Sequence, residues 1–195
     1  MKKPMILLSL VIFSWGAFAQ HDHSKMGHSG MESKKKDKSS VSSSIEVEHS
    51  KSVTNIIDNY LALKNALVED NSKKAASSGK SLYDALSKFN ISAQPKSNQK
   101  ELGEIIDNAS ENAEHISENS GKIDHQREHF ESLSTDLKDL IVLTGSDRTL
   151  YQTYCPMYNN SEGGIWLSET TGIKNPFYGS QMLKCGSVQQ EIMVK

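Results

Sequence analysis

Only two cysteines occur in the chain, and each has a methionine at ligand spacing: Cys155-Pro156-Met157, answered thirty residues later by Met182-Leu183-Lys184-Cys185. Thiolate and thioether sulfur select monovalent copper, or a similarly soft ion, over magnesium, calcium and manganese, which prefer oxygen. If residues 155–157 are extended, side chains i and i+2 share a face, and if residues 182–185 form one helical turn, i and i+3 do so too. Cys155, Met157, Met182 and Cys185 would then offer four soft donors to one centre, and the expected cargo is Cu(I) or a similar soft metal ion. Such a site needs deprotonated cysteines, so its affinity falls with pH.

A disulfide competes with this reading. Two cysteines in an exported chain are legitimately paired, and closing a loop of that length stabilises a fold by roughly 3 to 4 kcal/mol in the chain-entropy model. Met157 and Met182 would then be ordinary gap-filling residues. Both readings stay open at the level of sequence, and they are compatible, because oxidation would abolish a thiolate site.

Two further groups carry metal-ligand chemistry. His21, His23, Met26, His28 and Met31 crowd into eleven residues, and a flexible segment can wrap imidazole and thioether donors round an ion. The bland alternative is a solvated linker leading into Lys34-Lys35-Lys36. His125 and His129 stand four apart, the spacing at which two imidazoles on one helix face share an ion. They lie off the apolar stripe, however, and exposed helical histidines are the plainer reading. His49 and His115 are isolated along the chain and receive no role.

The amino terminus bears on where such chemistry occurs. Lys2 and Lys3 precede an apolar run from Met5 to Phe18, and Ala17-Phe18-Ala19 supplies a small-x-small cleavage pattern, which reads as a secretory signal peptide over residues 1–19. No later stretch approaches the roughly 20 apolar residues that cross a bilayer. A soluble, exported or periplasmic protein without membrane insertion after signal cleavage is therefore expected. Loss of Lys2 and Lys3 takes the formal charge from −2 to −4, too little and too evenly spread to imply nucleic-acid binding.

These donors must be positioned by a fold. Residues 20–44 are poor in core-forming side chains and are expected to be a disordered tail. From about residue 45 to 143 the apolar residues recur at helical spacing in four segments, around Val53 to Val68, Ala75 to Phe89, Leu102 to Ile116 and Ile123 to Ile141. Breaks fall at Asp70-Asn71, at Asn90 to Ser97 and at Asn119-Ser120-Gly121. Arg127, one turn before Phe130, is expected to anchor a carboxylate or a backbone carbonyl. Four amphipathic helices with short connections predict an antiparallel bundle.

After Leu143 the composition changes. Six of the ten aromatics beyond the signal segment, Tyr151, Tyr154, Tyr158, Trp166, Phe177 and Tyr178, fall between Leu150 and Gly186 among five glycines. Short extended stretches are expected at Leu150 to Tyr154 and after Gly163, with Trp166 in the core. The expected class is all-α: an antiparallel four-helix bundle with an irregular, aromatic and glycine-rich C-terminal cap over residues 144–195.

The cap residues also carry a resemblance. Tyr154-Cys155-Pro156-Met157, Gly164-Ile165-Trp166-Leu167-Ser168, Ile173-Lys174-Asn175-Pro176-Phe177-Tyr178-Gly179 and Met182-Leu183-Lys184-Cys185-Gly186 resemble the domain of unknown function family 3347. The resemblance extends over roughly Val53 to Ile192, more weakly in the helices, where Arg127, Phe130 and Leu133-Ser134 carry it. It implies an exported bacterial domain, one also found attached to periplasmic adaptor subunits of heavy-metal efflux systems, and hence a link to copper or silver resistance. The His/Met tail lies outside the shared region.

Motifs of catalysis do not emerge. The chain has no Gly-x-Ser-x-Gly elbow, phosphate-cradling loop, His-Glu-x-x-His or Gly-x-Gly-x-x-Gly, and redox cysteines are usually two residues apart. The expectation is a non-enzymatic, periplasmic soft-metal binder that buffers Cu(I) or hands it to an efflux adaptor. The alternative is a disulfide-stapled helical interaction domain with metal affinity confined to the tail.

Overall fold

The computed structural model describes residues 43–195. The signal segment and the tail donors His21, His23, Met26, His28 and Met31 lie outside the described residues. Along the chain run β1 (Ser43–Val47), α1 (Thr54–Val68), α2 (Ser72–Leu86), α3 (Gln99–Glu118), α4 (Ile123–Thr144), β2 (Leu150–Cys155), a single turn α5 (Tyr158–Ser161), β3 (Gly164–Ser168) and β4 (Ser187–Val194).

The four long helices occupy the stretches marked by apolar spacing. Val53, Ile56, Ile57, Tyr60, Leu63 and Leu67 from the first, Leu82 and Leu86 from the second, Leu102, Ala109, Ala113 and Ile116 from the third, and Phe130, Leu133, Leu137 and Leu140 from the fourth are all buried in one core. Burying such side chains contributes roughly 1.5 to 3 kcal/mol each before conformational entropy is subtracted. Short connections at residues 69–71 and 119–122 and a longer one over residues 87–98 fold each helix back beside its predecessor. The small residues of α2 set its distance from α3: a Cβ on Gly79 would lie 3.0 Å from Ile116 Cγ2 and 3.1 Å from the Ala113 carbonyl oxygen.

The expected all-α class is wrong. The cap is a four-stranded mixed sheet in the order β1-β4-β2-β3, with β1 parallel to β4 and β2 antiparallel to both of its neighbours. Ser43 and Ser44, assigned to the tail by composition, begin β1, and residues 45–47 are strand where helix was expected. The molecule is α+β, with helices segregated from the sheet. Val188 and Ile192 of β4 and Leu150 and Thr153 of β2 are buried, so the sheet closes one end of the helical core with its inner face.

Tyr60 joins the two layers. Its hydroxyl accepts a hydrogen bond from the Leu167 backbone N–H of β3 at 3.0 Å and contacts Ser134 Oγ of α4 at 2.8 Å. Ser134 itself donates to the Phe130 carbonyl, so the Tyr60 proton goes to Ser134 and the Tyr60 oxygen remains free to accept. Burial pushes the phenol far above its ordinary pKa. In Tyr60→Phe a buried N–H loses its acceptor, and the expected loss is about 2 kcal/mol, seen as a lower urea midpoint at unchanged m-value.

Aromatic rings continue the joint. Phe177 stacks on Tyr158 with centroids 4.0 Å apart and meets Trp166 and Phe130 edge-on at 5.8 and 6.0 Å. Gly164 makes room for this cluster, because a Cβ there would come within 3.0 Å of the Phe177 ring and 2.8 Å of Tyr158.

Candidate metal centre

Sheet register brings the cysteines together. Strands β2 and β4 pair antiparallel with Tyr154 opposite Ser187, so Cys155 at the end of β2 and Cys185 two residues before Ser187 meet just beyond the last pair. Their sulfurs are 3.1 Å apart and both cysteines are free thiols. Cys155 is fully buried and Cys185 partly so. The indole of Trp166 lies against the next backbone position, leaving no space for a side chain at Gly186, whose φ is +137°.

The spacing of the sulfurs limits their chemistry. A disulfide needs about 2.05 Å, so the sulfurs would close by about 1 Å to form one. Two thiolates on one tetrahedral ion, with metal–sulfur bonds near 2.3 Å, stand about 3.8 Å apart, so they would open by a comparable amount. The pair sits between its oxidised and metal-bound spacings and reaches either by a small side-chain movement.

The loop carrying Cys185 is organised by Asn175, which is fully buried. Its Nδ2 donates to the Cys185 carbonyl at 2.8 Å, its Oδ1 accepts from the backbone N–H groups of Phe177 and Tyr178 at 2.8 and 3.2 Å, and its own N–H donates to the Leu183 carbonyl. The Cys185 N–H closes a turn on the Met182 carbonyl at 2.9 Å. Donation to Cys155, with burial second, pushes the Cys185 thiol up, while the Met157 backbone N–H pulls the other way.

The methionines are less committed. Met157 follows the β2 thiol in a turn, and its side chain is 51% exposed. Its carbonyl accepts from the Tyr178 hydroxyl at 2.8 Å, which ties the backbone on either side of the cysteine pair. Met182 is half-buried on the turn that leads to Cys185. The two thiols are thus assembled by the fold, whereas the thioethers flank them on adjoining turns.

Arg127 behaves as an anchor, as its position on α4 implied. Its Nε donates to the Pro176 carbonyl at 2.9 Å, and one terminal nitrogen donates to the Leu67 carbonyl at 3.1 Å and to Asp70 Oδ1 at 2.6 Å. Asp70 in turn accepts from the Ser180 N–H at 3.0 Å. Hydrogen bonding from Ser180, joined by the Arg127 guanidinium, holds the Asp70 carboxyl below the usual carboxylate range. Gly179 must be glycine at this crossing, with φ of +52° and no space beside Asp70 for a Cβ.

His125 and His129 do share a face of α4, and their rings meet edge-on with centroids 4.7 Å apart. Sequence reasoning missed His115, which α3 places against His129 with centroids 4.5 Å apart. It also missed Asn175 as a positioning residue, naming it only within the cap motif that carries the resemblance. His49 pairs through its backbone with Ser146 in an isolated bridge, away from these groups. Among the described residues, no three His, Cys, Asp or Glu side chains converge on a metal centre as they stand.

Fold and site together define an α+β protein in which a four-helix bundle carries a small mixed sheet with a dithiol at the sheet's rim. Residues 56–149 match the model of a family described as protein of unknown function (DUF3347), and the chain is similar to that family. The matched span runs from α1 to the residue before β2, so the cap motifs lie beyond it. No curated protein and no solved structure matches the chain. No helix among the described residues is long and apolar enough to cross a membrane.

Proposed function

We propose that the protein is an exported carrier of a soft metal ion, Cu(I) above others, held by Cys155 and Cys185 and supplemented by the thioethers of Met157 and Met182. The observation that carries the reading is the pair of free thiols 3.1 Å apart, one buried and one half-buried. Sulfur donors in a partly covered site favour a soft monovalent ion, and the half-exposed side leaves a route for transfer. The leading Lys2-Lys3, apolar run and Ala17-Phe18-Ala19 pattern support export, and the resemblance drawn from the cap motifs points to a periplasmic efflux adaptor as recipient. The tail donors His21, His23, Met26, His28 and Met31 would collect the ion at lower affinity. The role is binding and transfer rather than catalysis.

The same distance favours a second reading, in which the cysteines form a disulfide and the protein is a stapled interaction domain. Titration of the reduced protein with Cu(I) against a competing chelator separates the two, with the five tail donors replaced by alanine. Binding that survives the tail changes and weakens by more than about 100-fold in Cys155→Ser, with a smaller loss in Met182→Leu, supports the carrier. Absence of free thiols in protein taken from its native compartment, with no binding after reduction, supports the staple.

A further inference from the structure

We infer that His115, His125 and His129 form a second metal site across α3 and α4, suited to a borderline divalent ion such as Zn(II) or Cu(II) and independent of the thiols. Imidazole nitrogen suits these ions as sulfur suits Cu(I). Two of the three donors come from one helix at i and i+4, and the third arrives because the turn at residues 119–122 folds α3 back beside α4.

The distances suit a shared ion. With metal–nitrogen bonds of about 2.0 Å, two imidazoles on one tetrahedral centre have ring centroids roughly 5 Å apart. The observed separations are 4.5 Å for His115 and His129 and 4.7 Å for His125 and His129. The planes of His115 and His129 are only 2° apart, so their in-plane lone pairs do not yet meet, and one ring must turn. His115 has room to do so: among the described residues its side chain makes one ion-pair contact, to Glu111 at 3.9 Å, and the terminal torsion of histidine is broad.

Hydrogen bonding already selects the ligating nitrogens of the other two. Asn112 Nδ2 donates to the Asn108 carbonyl at 3.0 Å, which turns Asn112 Oδ1 toward His129 Nδ1, 3.0 Å away. That oxygen can only accept, so His129 carries its proton on Nδ1 and keeps a lone pair on Nε2. His125 Nδ1 is 3.0 Å from a Glu128 carboxylate oxygen, which likewise accepts a proton on Nδ1 and leaves Nε2 as the nitrogen facing away. Metal-binding histidines use this arrangement, with an oxygen acceptor behind the ring orienting the nitrogen in front.

Zn(II) titration of the purified protein tests the site, with His21, His23 and His28 replaced by alanine and Cys185 by serine to remove competing donors. The readout is the ring-nitrogen NMR resonances of each histidine. The expected result is a concerted shift of Nε2 in His115, His125 and His129 by one equivalent, with His49 unmoved. Affinity should fall by about 10-fold or more in His115→Gln and in Asn112→Ala, the latter at unchanged ligand number. These side chains are half-exposed, so the variants keep the fold, which the backbone amide spectrum verifies. Shifts confined to His125 and His129, or an affinity indifferent to His115→Gln, would overturn the site.

Discussion

Replacing Arg127 by methionine is expected to destabilise the protein by about 3 kcal/mol, the cost of removing a buried guanidinium's charge-assisted hydrogen bonds to two carbonyls and a partly exposed carboxylate, and to lower Tm by roughly 9 °C for a chain of this size. The guanidinium alone touches three separate parts of the fold: the α1 terminus through Leu67 and Asp70, its own helix through Asp124 at 3.4 Å, and the cap through Pro176. Methionine fills comparable volume yet leaves the Pro176 carbonyl without its donor and takes one donor each from the Leu67 carbonyl and Asp70, which keep the backbone N–H groups of Asp70 and Ser180. Arg127→Lys should recover little, because a single ammonium cannot reproduce the planar fork. A lysine variant with wild-type stability would show that the forked geometry is irrelevant.

Acid unfolding gives the same contact a second signature. Asp70 has a folded-state pKa below its unfolded value, so its stabilising contribution is complete above about pH 4, the unfolded carboxylate range, and is lost as pH falls through the folded value. In Arg127→Met that linkage shrinks, and the stability curve should fall less steeply at the acid end. Equal slopes in the two proteins would assign the depressed Asp70 wholly to Ser180.

The helices were legible because the signal for them is local. Val53, Ile56, Ile57, Tyr60, Leu63 and Leu67 mark a face by spacing alone, and Asn71, whose side chain accepts from the Lys74 N–H at 3.0 Å, marks a start. The sheet was not legible, since three of its four strands have five or six residues, too few for alternation to stand out. Its longest strand, β4, reads Ser-Val-Gln-Gln-Glu-Ile-Met-Val and buries only Val188 and Ile192 fully. Its parallel partner β1 lies at the far end of the chain, where Ser43 and Ser44 look like tail. Composition cannot distinguish a serine that is solvated from one whose backbone completes a ladder.

Candidate donors were legible to a similar degree. Cysteine and methionine announce themselves by type, and their meeting follows from a register that no local pattern encodes. His115 was passed over because its partner is on another helix: positions 115 and 129 become neighbours only when the turn at 119–122 reverses the chain. That turn was visible, so pairing residues equidistant from it would have brought Asn112 to His129, with His115 three residues further along the same face of α3.

Asn175 gives the strongest test of how the cap positions its sulfurs. Asn175→Leu keeps the volume but removes three hydrogen bonds from a fully buried position, leaving the Cys185 carbonyl and two backbone N–H groups unpaired. At about 1 to 3 kcal/mol for each orphaned group, with some relaxation of the loop, a net loss of about 4 kcal/mol is expected in denaturant unfolding. The functional consequence is separate from the stability loss. Once the Cys185 carbonyl is released, the turn on Met182 is held to the Phe177 loop only through the position-175 N–H on the Leu183 carbonyl, and the thiols drift from their 3.1 Å approach. Under conditions where the variant remains folded, mild oxidation should pair Cys155 with Cys185 more slowly, and Cu(I) affinity should drop with it. Asn175→Asp keeps the acceptor for Phe177 and Tyr178 but sets its second carboxyl oxygen against the Cys185 carbonyl, so it should show a comparable thiol defect. A leucine variant that is less stable yet oxidises and binds as the wild type does would reduce Asn175 to a structural residue and detach the sulfur geometry from the loop that surrounds it.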